Sequence, residues 1–262
     1  MRFLAVITML VLAITLAQPA TAQCGLQITA KQLEVMRTEK RVALVIGNSN
    51  YATSRLRNPV NDAKAMTIKL RSLGFEVIEK IDVERKDLRR AIRDFGRRIR
   101  AGGVGLFYFA GHGVQFQGQN YIMPVGADVA EQDDIDDEGI SVNYVLSRMG
   151  SARNRLNLVI LDSCRNNPYA AFFRSEPRGL AVTPSPKGTY ISYAAAPGAV
   201  AADGKGEHSP YTQAILDNLN TPGLKIEDMF KRVRVHVSMT TRNNPHYPDK
   251  SDISCGDNMI LL

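Results

Sequence analysis

Short apolar runs alternate along the chain with stretches whose apolar residues recur every three or four positions. The runs at residues 41–46 (RVALVI), 75–81, 104–110 (VGLFYFA), 156–161 (LNLVIL) and 189–195 (TYISYAA) read as strands. Near-continuous apolar runs mark strands covered on both faces. Asn58-Pro59 opens a helix that ends at Gly74, with Ala63, Met66, Leu70 and Leu73 on its inner stripe. Residues 84–100 form a second helix, whose stripe is Leu88, Ala91, Ile92, Phe95 and Ile99. A short helix is predicted over residues 141–149, and Ser209-Pro210 opens another. Residues 225–240 give the last long helix, with Ile226, Met229, Phe230, Val233 and Val237 facing inward. Residues 258–262 read as a closing strand. Strand and helix in alternation predict an α/β domain of three layers, a mainly parallel sheet with helices on both faces.

The first 22 residues stand outside this pattern. Arg2 is followed by an uncharged, mainly apolar run of 15 residues, 3–17, too short for a membrane span of about 20 residues. Ala20-Thr21-Ala22 then supplies a small-x-small cleavage site. The expectation is an exported chain (periplasmic or extracellular), cut after Ala22. Cys24 raises a lipoprotein alternative, which the bulky Gln23 before it opposes. The division expected is therefore a signal peptide at 1–22, a lead-in segment at 23–40 and one domain at 41–262. No later segment is apolar enough to act as a stable membrane anchor.

Composition adds exclusions. With 44% hydrophobic and 23% charged residues, a disordered or fibrous chain is ruled out. Three cysteines suit neither a disulfide scaffold nor a four-ligand zinc site. The net charge of +7 falls to +6 once Arg2 leaves with the first 22 residues. Residues 84–100 hold eight basic and three acidic residues, so most of the excess lies on one helix face. That face is a solvated surface or a site for an anionic polymer or membrane surface. Its single aromatic, Phe95, lies on the buried stripe, so no nucleic-acid partner is expected. An opposite cluster of six acidic residues lies at 131–138.

Candidate chemistry sits at two strand ends. The third strand runs into Gly111-His112-Gly113 and the fourth into Asp162-Ser163-Cys164-Arg165. Parallel sheets build sites beyond the carboxyl ends of their strands. A cysteine beside a histidine can be held as the reactive thiolate, and flanking glycines let a substrate backbone come close. The 52-residue separation, histidine first, is near the roughly 50-residue spacing seen in caspases.

These blocks, with RVALVIGNSNY, NPVNDA, YFAGHG, LDSCRNNP, SYAAAPG and HSPYT, resemble the caspase-like cysteine peptidases, within them the metacaspase and bacterial orthocaspase branch. The resemblance spans residues 41–262. It implies a six-stranded, mainly parallel sheet between helices and a catalytic dyad of His112 and Cys164. Backbone amides of Gly113 and Cys164 would form the oxyanion hole. Where the caspase signature has Gln-Ala-Cys, Asp162-Ser163-Cys164 stands here. With Asp62, Asp162 would line a substrate-binding pocket for arginine or lysine before the scissile bond. Structural duties compete for both: Asp62 as an acid at a helix N-terminus, Asp162 as a strand-end turn former. Ala110 replaces the serine often found two residues before the histidine. Arg174, Arg178 and Lys187 mark the 165–187 loop as a place for self-cleavage.

The resemblance also implies polypeptide substrates and a monomer. No cofactor is expected to be required. Calcium is a family association, and Asp128, Asp133, Asp134, Asp136 and Asp137 offer oxygen ligands without EF-hand spacing; a solvated acidic loop is the expectation. His208, His236 and His246 share no metal-ligand spacing. Cys24 and Cys255 are candidates for a disulfide. Two other readings compete: a catalytically idle caspase-like binding module, and a nucleotide-binding domain, which the missing phosphate loop after the first strand disfavours.

Overall fold

The computed structural model describes residues 30–163, 169, 179–195, 201, 203–221 and 223–241. In chain order they form α1 (Ala30–Thr38), β1 (Arg41–Gly47), α2 (Pro59–Ser72), β2 (Glu76–Ile81) and α3 (Arg85–Arg98). A 3-10 turn (Ile99–Ala101) leads to β3 (Val104–Ala110), β4 (Gly113–Phe116), β5 (Gln119–Ile122), α4 (Asp134–Glu138) and β6 (Ile140–Ser141). Then come α5 (Val142–Gly150), β7 (Leu156–Asp162), β8 (Thr189–Tyr193), α6 (Pro210–Asn218) and α7 (Ile226–Thr240).

Among the described residues, five strands form the main sheet in the order β2-β1-β3-β7-β8, and every pairing is parallel. The strand expected at residues 258–262 lies outside the described residues. Alternate side chains of each strand feed opposite cores. Val104, Leu106 and Tyr108 of β3 join Leu156, Leu158 and Ile160 of β7 under α2, α6 and α7. Phe107, Phe109, Val159 and Leu161 point the other way, toward α3 and α5. This is the three-layer α/β architecture that the alternation of runs and stripes predicts. The inner stripes of α3 and α7 are buried as their spacing requires. The basic outer face of α3 is laced by pairs along the helix, Arg90 to Asp87 and Arg97 to Asp94, and by Arg98 to Glu76.

A second, antiparallel sheet, β4-β5-β6, was not visible in the pattern. Its strands are at most four residues long. Its hairpin turns on Gln117-Gly118, both with positive φ (48° and 73°), a two-residue turn that Asn-Gly would have signalled more openly. The acidic run is corrected as well. Where a solvated loop was expected, Asp134–Glu138 form the short helix α4. Buried Ile135 anchors it in a cluster with Tyr51, Phe116, Tyr121 and Met123. The Asp134 carboxylate accepts from the backbone amides of Ala130 and Glu131 at 2.9 and 2.8 Å. Asp136 accepts from the Tyr121 hydroxyl at 2.9 Å. Burial, with that carboxylate second, pushes the Tyr121 phenol up to about 12.

Two further contacts place the site. On β5, the buried Asn120 side chain accepts from Ala181 N at 2.7 Å and donates to Ala181 O at 2.6 Å, pinning the segment ahead of β8. Gly47, the last residue of β1, lets the first turn of α2 sit against the strand. A Cβ there would come within 2.3 Å of Pro59 O and 2.6 Å of Ala63 Cβ.

Gly47→Ala is expected to lower stability by about 1–3 kcal/mol through overpacking, measured by urea denaturation. Unchanged stability would mean that α2 is not seated as described. Because the folded phenol of Tyr121 holds its proton beyond the ordinary 10, its contribution is intact below pH 10 and is lost as pH rises toward about 12. Tyr121→Phe should flatten that part of a stability-versus-pH curve.

Candidate functional site

All five parallel strands end on one edge, and the functional candidates collect there. β3 and β7 lie in register, with Ala110 opposite Asp162. The two loops that follow therefore leave side by side, as expected for strands carrying paired chemistry. Gly111 N donates to Asp162 O at 3.3 Å. A Cβ on Gly113 would lie 2.8 Å from Ser163 Oγ, so the histidine loop touches the residue just before Cys164. Cys164 itself lies outside the described residues, as do Arg174, Arg178, His246, Cys24 and Cys255.

His112 is buried, and the loop after β1 orients it. Asp82, at φ 47°, ties that loop down by accepting from the amides of Ser49 and Asn50 at 2.7 and 2.9 Å. Buried Asn48 bridges three segments: its amide N donates to Ala110 O, its side chain donates to Met123 O, and its side-chain oxygen accepts from Val83 N. The loop then delivers Tyr51 and Ser54 onto the histidine. The Tyr51 ring lies 4.3 Å from the imidazole, centroid to centroid. Its hydroxyl accepts from His112 N and donates to Met123 O, both at 3.0 Å. A Cβ on Gly111 would stand 2.6 Å from that hydroxyl, which explains the glycine. His112 Nε2 lies 2.7 Å from the carbonyl oxygen of Ser54. A carbonyl can only accept, so Nε2 carries the hydrogen. In the neutral ring the lone pair then belongs to Nδ1, which is the nitrogen able to take up a proton.

The two candidate pocket carboxylates are brought together, although 100 residues separate them in sequence. Both are fully buried. Asp62, in the first turn of α2, accepts from Ser209 N at 3.1 Å and from His208 Nδ1 at 3.0 Å. Asp162, at the end of β7, accepts from Thr212 Oγ1 at 2.6 Å and from Ser209 Oγ. Ser209 thus bridges the pair, one aspartate on its amide and one on its hydroxyl. Its oxygen also caps α6 by accepting from Thr212 N at 2.9 Å. Two helix N-termini, of α2 and α6, face Asp62 with their positive ends, which favours a carboxylate there. Tyr108 extends the network through its 2.6 Å contact with Thr212 Oγ1.

Tyr51, Ser54, His208, Ser209 and Thr212 were not singled out from sequence as functional. Tyr51 lies within the GNSNY block, and Ser209 was read as a helix start, which it is. Neither reading contains the long-range partner. His236 pairs loosely with Asp217 at 3.8 Å, as a surface residue would. Among the described residues no three His, Cys, Asp or Glu side chains converge as a metal site. Also among the described residues, no helix is long and apolar enough to cross a membrane.

Known proteins give this arrangement a class. Residues 40–258 match the Caspase domain family. The chain belongs to that family of caspase-like peptidases. It is 34% identical over 131 residues to the mucosa-associated lymphoid tissue lymphoma translocation protein 1 of Homo sapiens, and 32% identical to the Mus musculus homologue over the same length. Each match covers 49% of this chain but only 16% and 15% of those relatives, so the chain spans a small part of their length.

Tyr51→Phe removes the hydroxyl that accepts from buried His112 N and donates to Met123 O, where Asn48 remains as a donor. The expected cost is about 1–3 kcal/mol of stability by denaturant titration. Full retention of stability would show that the hydroxyl does not hold the loop.

Proposed function

We propose that this chain is a cysteine endopeptidase that cuts polypeptides after arginine or lysine, with Cys164 as nucleophile and His112 as its proton partner. The carrying observation is the orientation of His112. Its Nε2 is committed to Ser54 O, so Nδ1 is the basic nitrogen, and the histidine loop packs at Gly113 against Ser163, the residue before Cys164.

The chemistry follows from these groups. The Cys164 thiol passes its proton to His112 Nδ1, and the thiolate attacks the peptide carbonyl carbon. The resulting oxyanion is received by the backbone amides of Gly113 and Cys164; one such donor is worth about 10²–10³ in kcat. Collapse expels the amine, which takes the proton from Nδ1, and leaves an acyl-thioester. Water then attacks that thioester while Nδ1 takes its proton, releasing the acid and the thiol. These steps use only the chain's own groups and call for no cofactor.

Asp62 and Asp162 supply the selection. Two buried carboxylates joined through Ser209 favour a cationic side chain and repel an acidic one. The chain acts as a monomer after export, the first 22 residues serving as its cleaved leader. Self-cleavage falls at basic residues of the 165–187 loop.

The test is a panel of peptide reporters bearing Arg, Lys, Asp or Gln before the reporter group, run on wild type and Cys164→Ala. Turnover after Arg or Lys that Cys164→Ala abolishes is the expected result. Preferred cleavage after Asp would overturn the specificity. Equal background rates in both proteins would overturn the enzyme and favour a binding module.

A further inference from the structure

We infer that His208 is a specificity-determining lid on Asp62, a resident partner that the substrate's basic side chain displaces. This rests on Asp62 and Asp162 being the groups that meet that side chain.

Among the described residues, the donors to the two carboxylates include Ser209 N, Ser209 Oγ, Thr212 Oγ1 and His208 Nδ1. Three of them are fixed. Ser209 N is backbone at the start of α6. Ser209 Oγ is also the cap of that helix, and Thr212 Oγ1 is held inside it against Tyr108. His208 differs. Its side chain is 20% exposed while that of Asp62 is 0%, so a solute approaching Asp62 meets the imidazole first. Its backbone is held on both sides: Asp203 accepts from Arg57 N and Asn58 Nδ2, and Ser209 is locked as described. Rotation of one side chain therefore uncovers Asp62 without unfolding the loop.

The consequence is a threshold on what can bind. A guanidinium or ammonium group replaces the N–H that His208 withdraws and adds a full charge, so the exchange is favourable. An uncharged side chain returns less than the imidazole gave, so the lid stays shut against it. His208 thus sharpens selection for cations while weakening binding of the correct one.

The first experiment compares KM and kcat for an arginine reporter in wild type, His208→Ala and His208→Asn. His208→Ala should lower KM about two- to tenfold, the worth of one hydrogen bond, with kcat kept. His208→Asn, which places an amide donor near the Nδ1 position, should restore most of the difference. Added imidazole should compete with the reporter in His208→Ala and not in wild type. A raised or unchanged KM in His208→Ala would overturn the lid.

A second measurement needs no His208 variant. In Cys164→Ala, saturation with an arginine-containing peptide should increase labelling of His208 by diethyl pyrocarbonate, read by mass spectrometry. Binding without that increase would overturn the lid alone. No binding of the arginine peptide, together with no cleavage after Arg or Lys in wild type, would overturn the pocket assignment beneath it.

Discussion

The register between β3 and β7 is the constraint on which the rest depends. Parallel strands that start and stop together deliver their next residues to the same edge, and here Ala110 stands opposite Asp162. Had the ladder slipped by one residue, every side chain of β7 would have changed faces, exchanging Leu158 and Ile160 with Val159 and Leu161 between two unlike cores. The cores on the two faces therefore enforce the alignment of the two loops. Apolar packing, which is indifferent to chemistry, fixes where the chemistry can occur.

A second layer of organisation is polar and long-range. Ser209 joins the end of β7 to the start of α2 through one residue, because its oxygen caps α6 by accepting from Thr212 N while its hydroxyl hydrogen and its own amide N–H donate to the two aspartates. Two buried carboxylates are held apart yet linked by a neutral residue, and each is supplied with hydrogen bonds. Burying them without such donors would cost several kcal/mol each. On the other side of the site, the Tyr51 hydroxyl works in the same manner, joining the histidine loop to the start of the segment after β5. Rigid backbone and small polar bridges carry the geometry, and long flexible side chains take little part.

Much of this was readable in the chain. The runs of β1, β3 and β7 and the stripes of α3 and α7 follow from period alone, because burial on one or two faces leaves a repeating mark. The glycines around His112 were read as room for a substrate; Gly111 and Gly113 also give room to Tyr51 and Ser163. What escaped has physical reasons. β4 to β6 are too short to build a period, and their turn lacks the usual residues. The acidic run hid Ile135, a single buried anchor that outweighs its charged neighbours. The pairing of His208 with Asp62 spans 146 positions. No local pattern encodes a contact of that range, since it exists only once α6 docks against α2.

The Asn120 amide does the work of a backbone peptide group, since it both donates to and accepts from Ala181. The chain is thereby fastened at Ser163 on one side and at Ala181 on the other. Insertions between two fastened points carry a closure penalty that rises only with the logarithm of length, about 0.6 kcal/mol for each doubling. Evolution could thus lengthen or recompose that connection almost without regard to the sheet. The same scaffold can accept very different segments beside its chemistry, and an asparagine with a purely structural duty is what grants that freedom.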